Sequence, residues 1–314
     1  MFSYVLHRFL SALLTMVLAA ALVFAALLAI PGDPAEIILG IGASPAAISA
    51  LQRQLGLDVP PALRFVQWLG GIVRGDFGQS INYQRPVAAL ILERLSVSLP
   101  LALASMLLAC LIALPLGIVA ALKRGTWLDP AITTLSQLGA ALPSFWLALL
   151  FILFFSVRLR WLPASGFVRW ESSTVGALRS LALPVLALGL GQAAVMTRMT
   201  RAAMLDVLPK DYIRTAKAKG LARSRVITRH ALRNALITII TIIGLSLSQL
   251  LVGSIIIEQV FSLPGLGRMV LTAIGTRDFP LLQGQIFVYA SAIVLLSFFV
   301  DISYSLLDPR IRYS

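Results

Sequence analysis

The chain of 314 residues is 59% hydrophobic and only 12% charged, and its mean hydropathy is +0.91. This composition lies outside the range of soluble globular proteins and indicates a membrane protein. The net charge of +13 does not indicate a nucleic-acid surface, because the basic residues are spread over several loops without interleaved aromatic side chains. One cysteine and two histidines make a thiolate or imidazole metal site unexpected.

Six stretches without charged side chains predict the membrane spans. Each comes close to the roughly 20 residues that a helix needs to cross about 30 Å of hydrocarbon. They comprise residues 9–32, 95–122, 130–157, 180–197, 234–257 and 279–300. The sequence therefore predicts an all-α polytopic membrane protein with six transmembrane helices, in which Pro115, Pro143 and Pro184 introduce kinks.

The first stretch has two interpretations. His7 and Arg8 precede it, as basic residues precede the apolar part of a secretory signal. It is longer than such a signal usually is and lacks a small-x-small cleavage site before Pro31, which favours a retained helix. Residues 37–52 are also uncharged, but they are shorter and are interrupted by glycine and proline, so we predict a re-entrant or interfacial segment there.

The distribution of Lys and Arg predicts the orientation of the chain. With the N-terminus inside, fifteen of the 26 basic residues lie on the cytoplasmic side, ten of them in residues 198–233. The long segment 31–94 then lies outside, where its five basic and five acidic residues have little influence on topology. We therefore expect both termini in the cytoplasm.

The basic segment 198–233 predicts two helices. Asp211 can cap a short helix that ends at Gly220, and Lys217 and Lys219 occupy its last turn, where cations interact favourably with the helix dipole. Ser224 can cap a second helix that continues into the fifth span.

The short helix is predicted to be amphipathic. Tyr212, Ile213 and Ala216 form one small apolar face beside a basic surface. So short a helix is not stable alone, so it must dock against another surface. From composition alone, a loop that enforces topology or touches anionic lipid explains the segment equally well.

Two motifs lie in the basic segment: "RTAKAKG" at 214–220 and "HALRNAL" at 230–236. They resemble the EAA-type cytoplasmic loop in the permease subunits of peptide/nickel-type ABC importers, the oligopeptide and dipeptide permease family, in particular the first of the two permease subunits. Further matches are "PGDP" at 31–34, "GLDVPPALRFVQWLGGIVRGDFGQS" at 56–80, "EQVFSLPGLGRMV" at 258–270, "RDFPLLQG" at 277–284 and "DPRIR" at 308–312. The resemblance covers essentially the whole chain.

Two positions depart from the family pattern. Arg214 stands where other importers have the glutamate that names the loop motif, as is common in the peptide branch. "SVSLPLAL" at 96–103 replaces a version that usually contains threonine, which bears on packing at the outer end of the second helix.

The resemblance implies the type I ABC importer permease fold in the bacterial inner membrane. Residues 1–97 would form the N-terminal transmembrane helix and a large periplasmic segment between helices 1 and 2. Residues 98–314 would form a five-helix core with a cytoplasmic coupling loop at 198–233 and a periplasmic loop at 258–282.

The resemblance also implies roles for two groups of residues. The short cytoplasmic helix would insert into a cleft of an ATP-binding subunit, and its ATPase-coupling residues are Tyr212, Arg214, Ala216, Lys217, Lys219 and Gly220. The periplasmic loop would help to receive substrate from a binding protein, and its residues are Glu258, Pro264, Gly265, Gly267 and Asp278. An alternative for Pro264 and the two glycines is a tight turn that only shapes the backbone.

Polar side chains within the spans are candidates for the translocation path. They should face protein or water, because polar groups that face lipid are unfavourable. The candidates are Ser136, Gln137, Gln192, Ser246, Ser248 and Gln249. Hydrogen bonding between helices is the alternative for all six. Asp301, near the inner end of the last span, is either an ion or proton site or a carboxylate paired with a neighbour.

The predicted function is that of a non-catalytic permease subunit. The chain lacks a GxxxxGK[ST] phosphate loop, so ATP and Mg would bind in partner subunits and no cofactor is expected in this chain. The implied partners are a second homologous permease, two ATP-binding subunits, a periplasmic or lipid-anchored substrate-binding protein and membrane lipid, without nucleic acid. The cargo would be di- or oligopeptides, with nickel, glutathione or an opine-like solute as alternatives. A secondary transporter coupled to ions or protons, or an intramembrane hydrolase, would need mid-membrane acidic residues or a GxSxG motif, which the spans lack.

Overall fold

The computed structural model describes residues 2–29, 34–40, 42–54 and 58–307, and these are helical or lie in short connections without a β-strand. In chain order the helices are α1 (Phe2–Leu28), α2 (Pro34–Leu39), α3 (Pro45–Gln54), α4 (Pro61–Val73), α5 (Val87–Leu122), α6 (Leu128–Ala141), α7 (Ser144–Phe151), α8 (Thr174–Val207), α9 (Asp211–Ala218), α10 (Arg223–Arg225), α11 (Arg233–Val260), α12 (Leu266–Gly275) and α13 (Phe279–Leu307). The π-helical segment Ile152–Arg158 extends α7. A second π-helical segment, Val226–Leu232, joins α10 to α11. The predicted all-α class is confirmed.

In the part of the chain that the structure describes, five helices are long and apolar enough to cross a membrane, and a bent pair of helices occupies the remaining predicted stretch. The five are Val5–Leu28, Val87–Leu122, Thr174–Val207, Arg223–Val260 and Phe279–Ser303. They contain five of the six predicted stretches, apart from residues 29–32 at the end of the first. Residues 37–52 include the end of α2 and most of α3, and neither helix is long enough to be a span.

The third predicted span in chain order is divided by a bend of 91° between Leu128–Ala141 and Ser144–Arg158. Leu142 and Pro143 are extended at this point. A proline has no N–H for the helical ladder and disfavours helical backbone in the residue before it, which explains the break. Pro115 and Pro184, in contrast, lie inside helices that continue through them. A proline kink was predicted at all three positions, but only Pro143 divides its helix.

The pair α5 and α8 forms the centre of the bundle. The two helices approach closely because small residues lie between them: a Cβ on Gly117 would lie 2.7 Å from the Cβ of Thr200, and one on Gly189 would lie 2.8 Å from Cδ2 of Leu108. Van der Waals packing of this kind associates helices where lipid removes the hydrophobic driving force. Helix α11 packs against both members of the pair.

Helix α1 lies on the outer side of this bundle and packs against α13. Near the N-terminus of α1 and the end of α13, the Arg8 guanidinium lies 3.1 Å from the Asp301 carboxylate. Towards the other end, Phe24, Phe65, Trp68 and Phe287 form a chain of ring contacts that joins α1, α4 and α13. Asp301 therefore has a charged neighbour, as the second of its two interpretations required.

Candidate functional site: cytoplasmic helix, membrane cleft and outer loop

The short helix α9, predicted to lie in the cytoplasm, begins and ends close to the predicted positions. Lys210 occupies the N-cap position without a side-chain cap, and Asp211 is the first helical residue, so the predicted Asp211 cap is wrong by one position. At the other end Gly220 has φ +73°. Its N–H donates to the Lys217 carbonyl at 3.0 Å, and the Leu221 N–H lies 3.4 Å from the Ala216 carbonyl, the pattern of a Schellman C-cap.

The burial of α9 differs from the predicted common face. Ile213 and Ala216 are 0% and 5% exposed and pack in a cluster with Met204 and Val226, whereas Tyr212 is 42% exposed. Consecutive helical residues point about 100° apart, so Tyr212 cannot share the direction of Ile213 when that side chain is fully buried. The predicted grouping of Tyr212 with Ile213 and Ala216 is therefore wrong.

The outward surface of α9 is basic with one aromatic side chain. It carries Tyr212, Arg214, Lys217 and Lys219, all exposed. Partial burial raises the pKa of the Tyr212 phenol, so the group stays neutral at physiological pH and can donate a hydrogen bond. Arg214 lies 3.6 Å from the exposed Asp211 carboxylate, a contact that stabilises the helix little.

Helix α9 rests on the base of the fifth span. Val226 and Ala231 belong to the same buried cluster as Ile213, and they lie in a helix that continues without interruption over Arg223–Val260. The predicted continuity into the fifth span is confirmed. The predicted cap at Ser224 is wrong, because Ala222 holds the N-cap position.

A cleft of about 200 Å³ lies beside the break at Pro143. Helices α6, α7, α8 and α11 supply its lining residues, none of which is charged. They are Gly139, Ala140, Leu142, Ser144, Leu188, Gly191, Gln192, Gln249, Leu250 and Gly253. Two of the six predicted path residues, Gln192 and Gln249, therefore lie at one site on facing helices.

The other four predicted path residues lie elsewhere or behind the cleft wall. Ser246 is buried and accepts a hydrogen bond of 2.7 Å from Gln192 Nε2. Ser136 and Ser248 donate to backbone carbonyls within their own helices, to Ile132 at 2.8 Å and to Gly244 at 3.2 Å. Gln137 is exposed and does not line the cleft.

The predicted periplasmic loop at 258–282 is called the outer loop below. In it, the Glu258 carboxylate lies at the N-terminus of α12. It is fully buried and accepts hydrogen bonds from Ser98 Oγ at 2.6 Å and from the Arg268 N–H at 3.0 Å. The same Ser98 Oγ accepts from the Leu266 N–H at 2.8 Å. A carboxylate and a hydroxyl thus satisfy the free N–H groups of the first turn, where the helix dipole also favours negative charge.

Glycine at positions 265 and 267 is required by space. A Cβ on Gly265 would overlap the Glu258 carboxylate, and one on Gly267 would lie 2.6 Å from the Cα of Ile255. Neither glycine has the positive φ that a tight turn would demand. Their absent side chains allow α12 to lie directly on the end of α11.

Asp278 connects the outer loop with the segment before α5. It is fully buried and accepts from Ser80 Oγ at 2.5 Å and from the N–H groups of Ile81 at 3.2 Å and Asn82 at 3.1 Å. Oδ1 of Asp278, which accepts from the Ile81 N–H, also accepts from the Leu281 N–H at 3.3 Å and so caps α13. Four of the five predicted loop residues are thus buried and Pro264 is half-buried, while Glu258 and Asp278 form two separate polar centres.

The sequence of the chain matches known proteins along its whole length. Residues 113–313 match the family described as the binding-protein-dependent transport system inner membrane component, and residues 1–102 match the N-terminal part of the membrane component of such systems. The chain belongs to this family.

Relatives of the permease are similar over all of their own length. A Brucella abortus protein named as a peptide transport system permease is 42% identical, and the glutathione transport system permease protein GsiC of Salmonella choleraesuis is 39% identical, each over 313 residues that cover 100% of both chains. An inward-facing structure of the methionine ABC transporter MetNI has the same fold, with a TM-score of 0.59 and 19% identity over 70% of the permease and 96% of that chain. The type I ABC importer permease fold is therefore confirmed.

Several polar contacts of the permease were not predicted from its sequence. Arg201 binds the Asp129 carboxylate through two hydrogen bonds of 2.5 and 2.7 Å, which ties α8 to the start of α6. Trp170 Nε1 donates to the Ser96 carbonyl at 2.8 Å and fixes the loop before α8 to α5. The only signal in the sequence for the Arg201–Asp129 contact was an acidic residue beside an uncharged run. Residue spacing gives no signal for the Trp170–Ser96 contact.

Proposed function

We propose that this permease forms half of the translocation pathway of an ATP-driven importer for di- or oligopeptides, or a related small solute, delivered by a periplasmic binding protein. Full-length identity of 42% and 39% to permeases named for peptide and for glutathione transport supports this cargo. Glutathione is itself a tripeptide, so the two names agree on a chemical class.

The proposed assembly contains a second homologous permease, two ATP-binding subunits and a periplasmic or lipid-anchored binding protein. ATP and Mg would bind in the ATP-binding subunits, and this chain would take no part in the chemistry of hydrolysis. Both termini would lie in the cytoplasm, on the same side as α9.

The observation that carries the proposal is the position of α9. Its apolar side is packed on the base of the helix Arg223–Val260, and its basic and aromatic side is exposed. An ATP-binding subunit that grips the exposed side of α9 would move the end of a membrane helix as it closes. ATP binding would thereby shift the passage between inward and outward access.

Reconstitution of the complex into liposomes tests this function. The wild-type assembly should take up a labelled dipeptide only with ATP and binding protein present. Tyr212→Ala should lower uptake about tenfold or more, since a tyrosine at the centre of an interface contributes about 2 kcal/mol. Ala216→Glu is less suitable, because Ala216 is buried within the chain itself.

Tyr83→Ala is the matched control, because Tyr83 is an exposed tyrosine on the opposite side of the membrane in the proposed topology. Normal uptake by the Tyr212 variant would contradict the coupling role of α9. Uptake driven by an ion gradient without ATP would favour the alternative secondary transporter. The pairing of Asp301 with Arg8 does not support that alternative.

A further inference from the structure

The cleft beside Pro143 has an unusual lining for a space between membrane helices. Three of its ten lining residues are glycines, two are glutamines and one is a serine, and the remainder are alanine or leucine. It combines hydrogen-bonding groups with bare backbone and has no charge. Such a surface suits a ligand that offers peptide groups rather than charged side chains.

Gly191 is the position where the absence of a side chain leaves space. A Cβ built on Gly191 meets no atom within 4 Å, and one on Gly253 meets only Leu188 Cδ2 at 4.0 Å. A glycine inside a helix makes that helix less stable than an alanine would. At Gly189 close packing of α5 explains the glycine, but no packing contact explains Gly191. A side chain at Gly191 would therefore narrow the cleft.

The two carboxamides supply donors and acceptors on facing helices. Gln192 Nε2 is held by Ser246 Oγ at 2.7 Å, which fixes the side chain and leaves its carbonyl oxygen available. Gln249 is exposed to the cleft from α11. A carboxamide matches both the N–H and the C=O of a peptide group, which every peptide presents whatever its side chains.

We infer that this cleft contacts the transported peptide through its main chain, and that the bare wall at Gly191 sets the width of side chain that passes. This inference rests on the proposed function. It adds that the membrane passage distinguishes peptides by bulk and not by charge.

The test uses the full complex in liposomes with glycyl-glycine and tryptophyl-tryptophan as probes. Gly191→Ala should lower uptake of the tryptophan peptide about tenfold relative to glycyl-glycine, the size of effect that a single methyl group can have in a fitted pocket. Gly191→Leu should stop uptake of both peptides, while the second permease and the ATP-binding subunits still copurify with the variant.

A charge substitution supplies the second measurement. Gln249→Glu should lower uptake of aspartyl-aspartate relative to glycyl-glycine about fivefold, the effect of one charge pair at contact distance in water. Selectivity of the binding protein affects variant and wild type equally. The measured quantity is therefore the ratio of the two uptake rates in the variant, divided by the same ratio in the wild-type complex.

The outcomes separate the inference from the proposed function. Unchanged uptake ratios in the Gly191→Ala and Gln249→Glu variants would overturn the inference and leave the importer function intact. Loss of the second permease from the purified Gly191→Leu complex would also overturn it, because the cleft would then be a subunit contact. Absence of ATP-dependent peptide uptake by the wild-type complex would overturn the proposed function itself.

Discussion

Removal of the Ser98 hydroxyl should loosen α12 from the membrane bundle. This hydroxyl donates to the buried Glu258 carboxylate at 2.6 Å and accepts from the Leu266 N–H at 2.8 Å. A hydrogen bond to a charged group contributes about 1.5–3 kcal/mol, and the unpaired N–H adds to the loss. We expect Ser98→Ala to lower the free energy of unfolding by about 2–4 kcal/mol.

Alkylation of Cys110 during heating gives the assay, because this single cysteine lies half-buried in α5. A loss of 1 kcal/mol shifts the midpoint by about 2–4 °C in domains of 150–250 residues, so the midpoint should fall by about 4 °C or more. Ser96→Ala is the matched control two residues away, since Ser96 is exposed and its hydroxyl donates to the Glu93 carbonyl of its own helix.

A double-mutant cycle with Glu258→Gln decides the cause. If Ser98 acts through the carboxylate, the destabilisation by the two changes together should be smaller than the sum of the separate effects by at least about 0.5 kcal/mol. Strict additivity, or an unchanged midpoint for Ser98→Ala, would refute the argument that the hydroxyl and carboxylate form one capping unit.

Three further predictions follow from other contacts. Asp278→Ala removes the acceptors that hold the segment before α5, so that segment should be cleaved faster by an added protease; unchanged cleavage would contradict its role. Gly220→Ala should lower transport, because φ +73° costs a residue with a Cβ about 1–2 kcal/mol. The control is Gly125→Ala, which should transport normally. Gly125 has φ +82° in another turn with equally open space around it. Arg201→Ala should destabilise the protein by about 3–5 kcal/mol. Adding Asp129→Asn to the Arg201→Ala chain should restore part of this loss in thermal unfolding. Equal loss in the single and the double variant would show that the unpaired charge is not the cause.

The spans could be predicted because the bilayer imposes a requirement on every consecutive residue. A run of about 20 uncharged residues is a local signal, and it located the five span-length helices and the bent pair. The size of the bend at Pro143 was not predictable in this way. Pro115 and Pro184 carry the same local signal as Pro143, and the difference depends on whether neighbouring helices can hold the freed backbone groups.

The polar centres of the outer loop were only half visible in the sequence. Glu258 and Asp278 were identified through family motifs, but their partners Ser98 and Ser80 lie 160 and 198 residues away in the chain. No periodicity relates residues so far apart. The direction of Tyr212 was missed for a related reason: periodicity gives the faces of α9, but only packing against Met204 and Val226 decides which face is buried.

The helix Arg223–Val260 acts geometrically as a lever. At 1.5 Å per residue its 38 residues extend about 55 Å, well beyond the roughly 30 Å of hydrocarbon. A tilt of about 10° around its midpoint would displace each end by about 5 Å in opposite directions. Helix α9 rests at one end, and Glu258 holds α12 at the other. The outer surface offered to a binding protein would therefore change in step with the nucleotide state on the far side of the membrane.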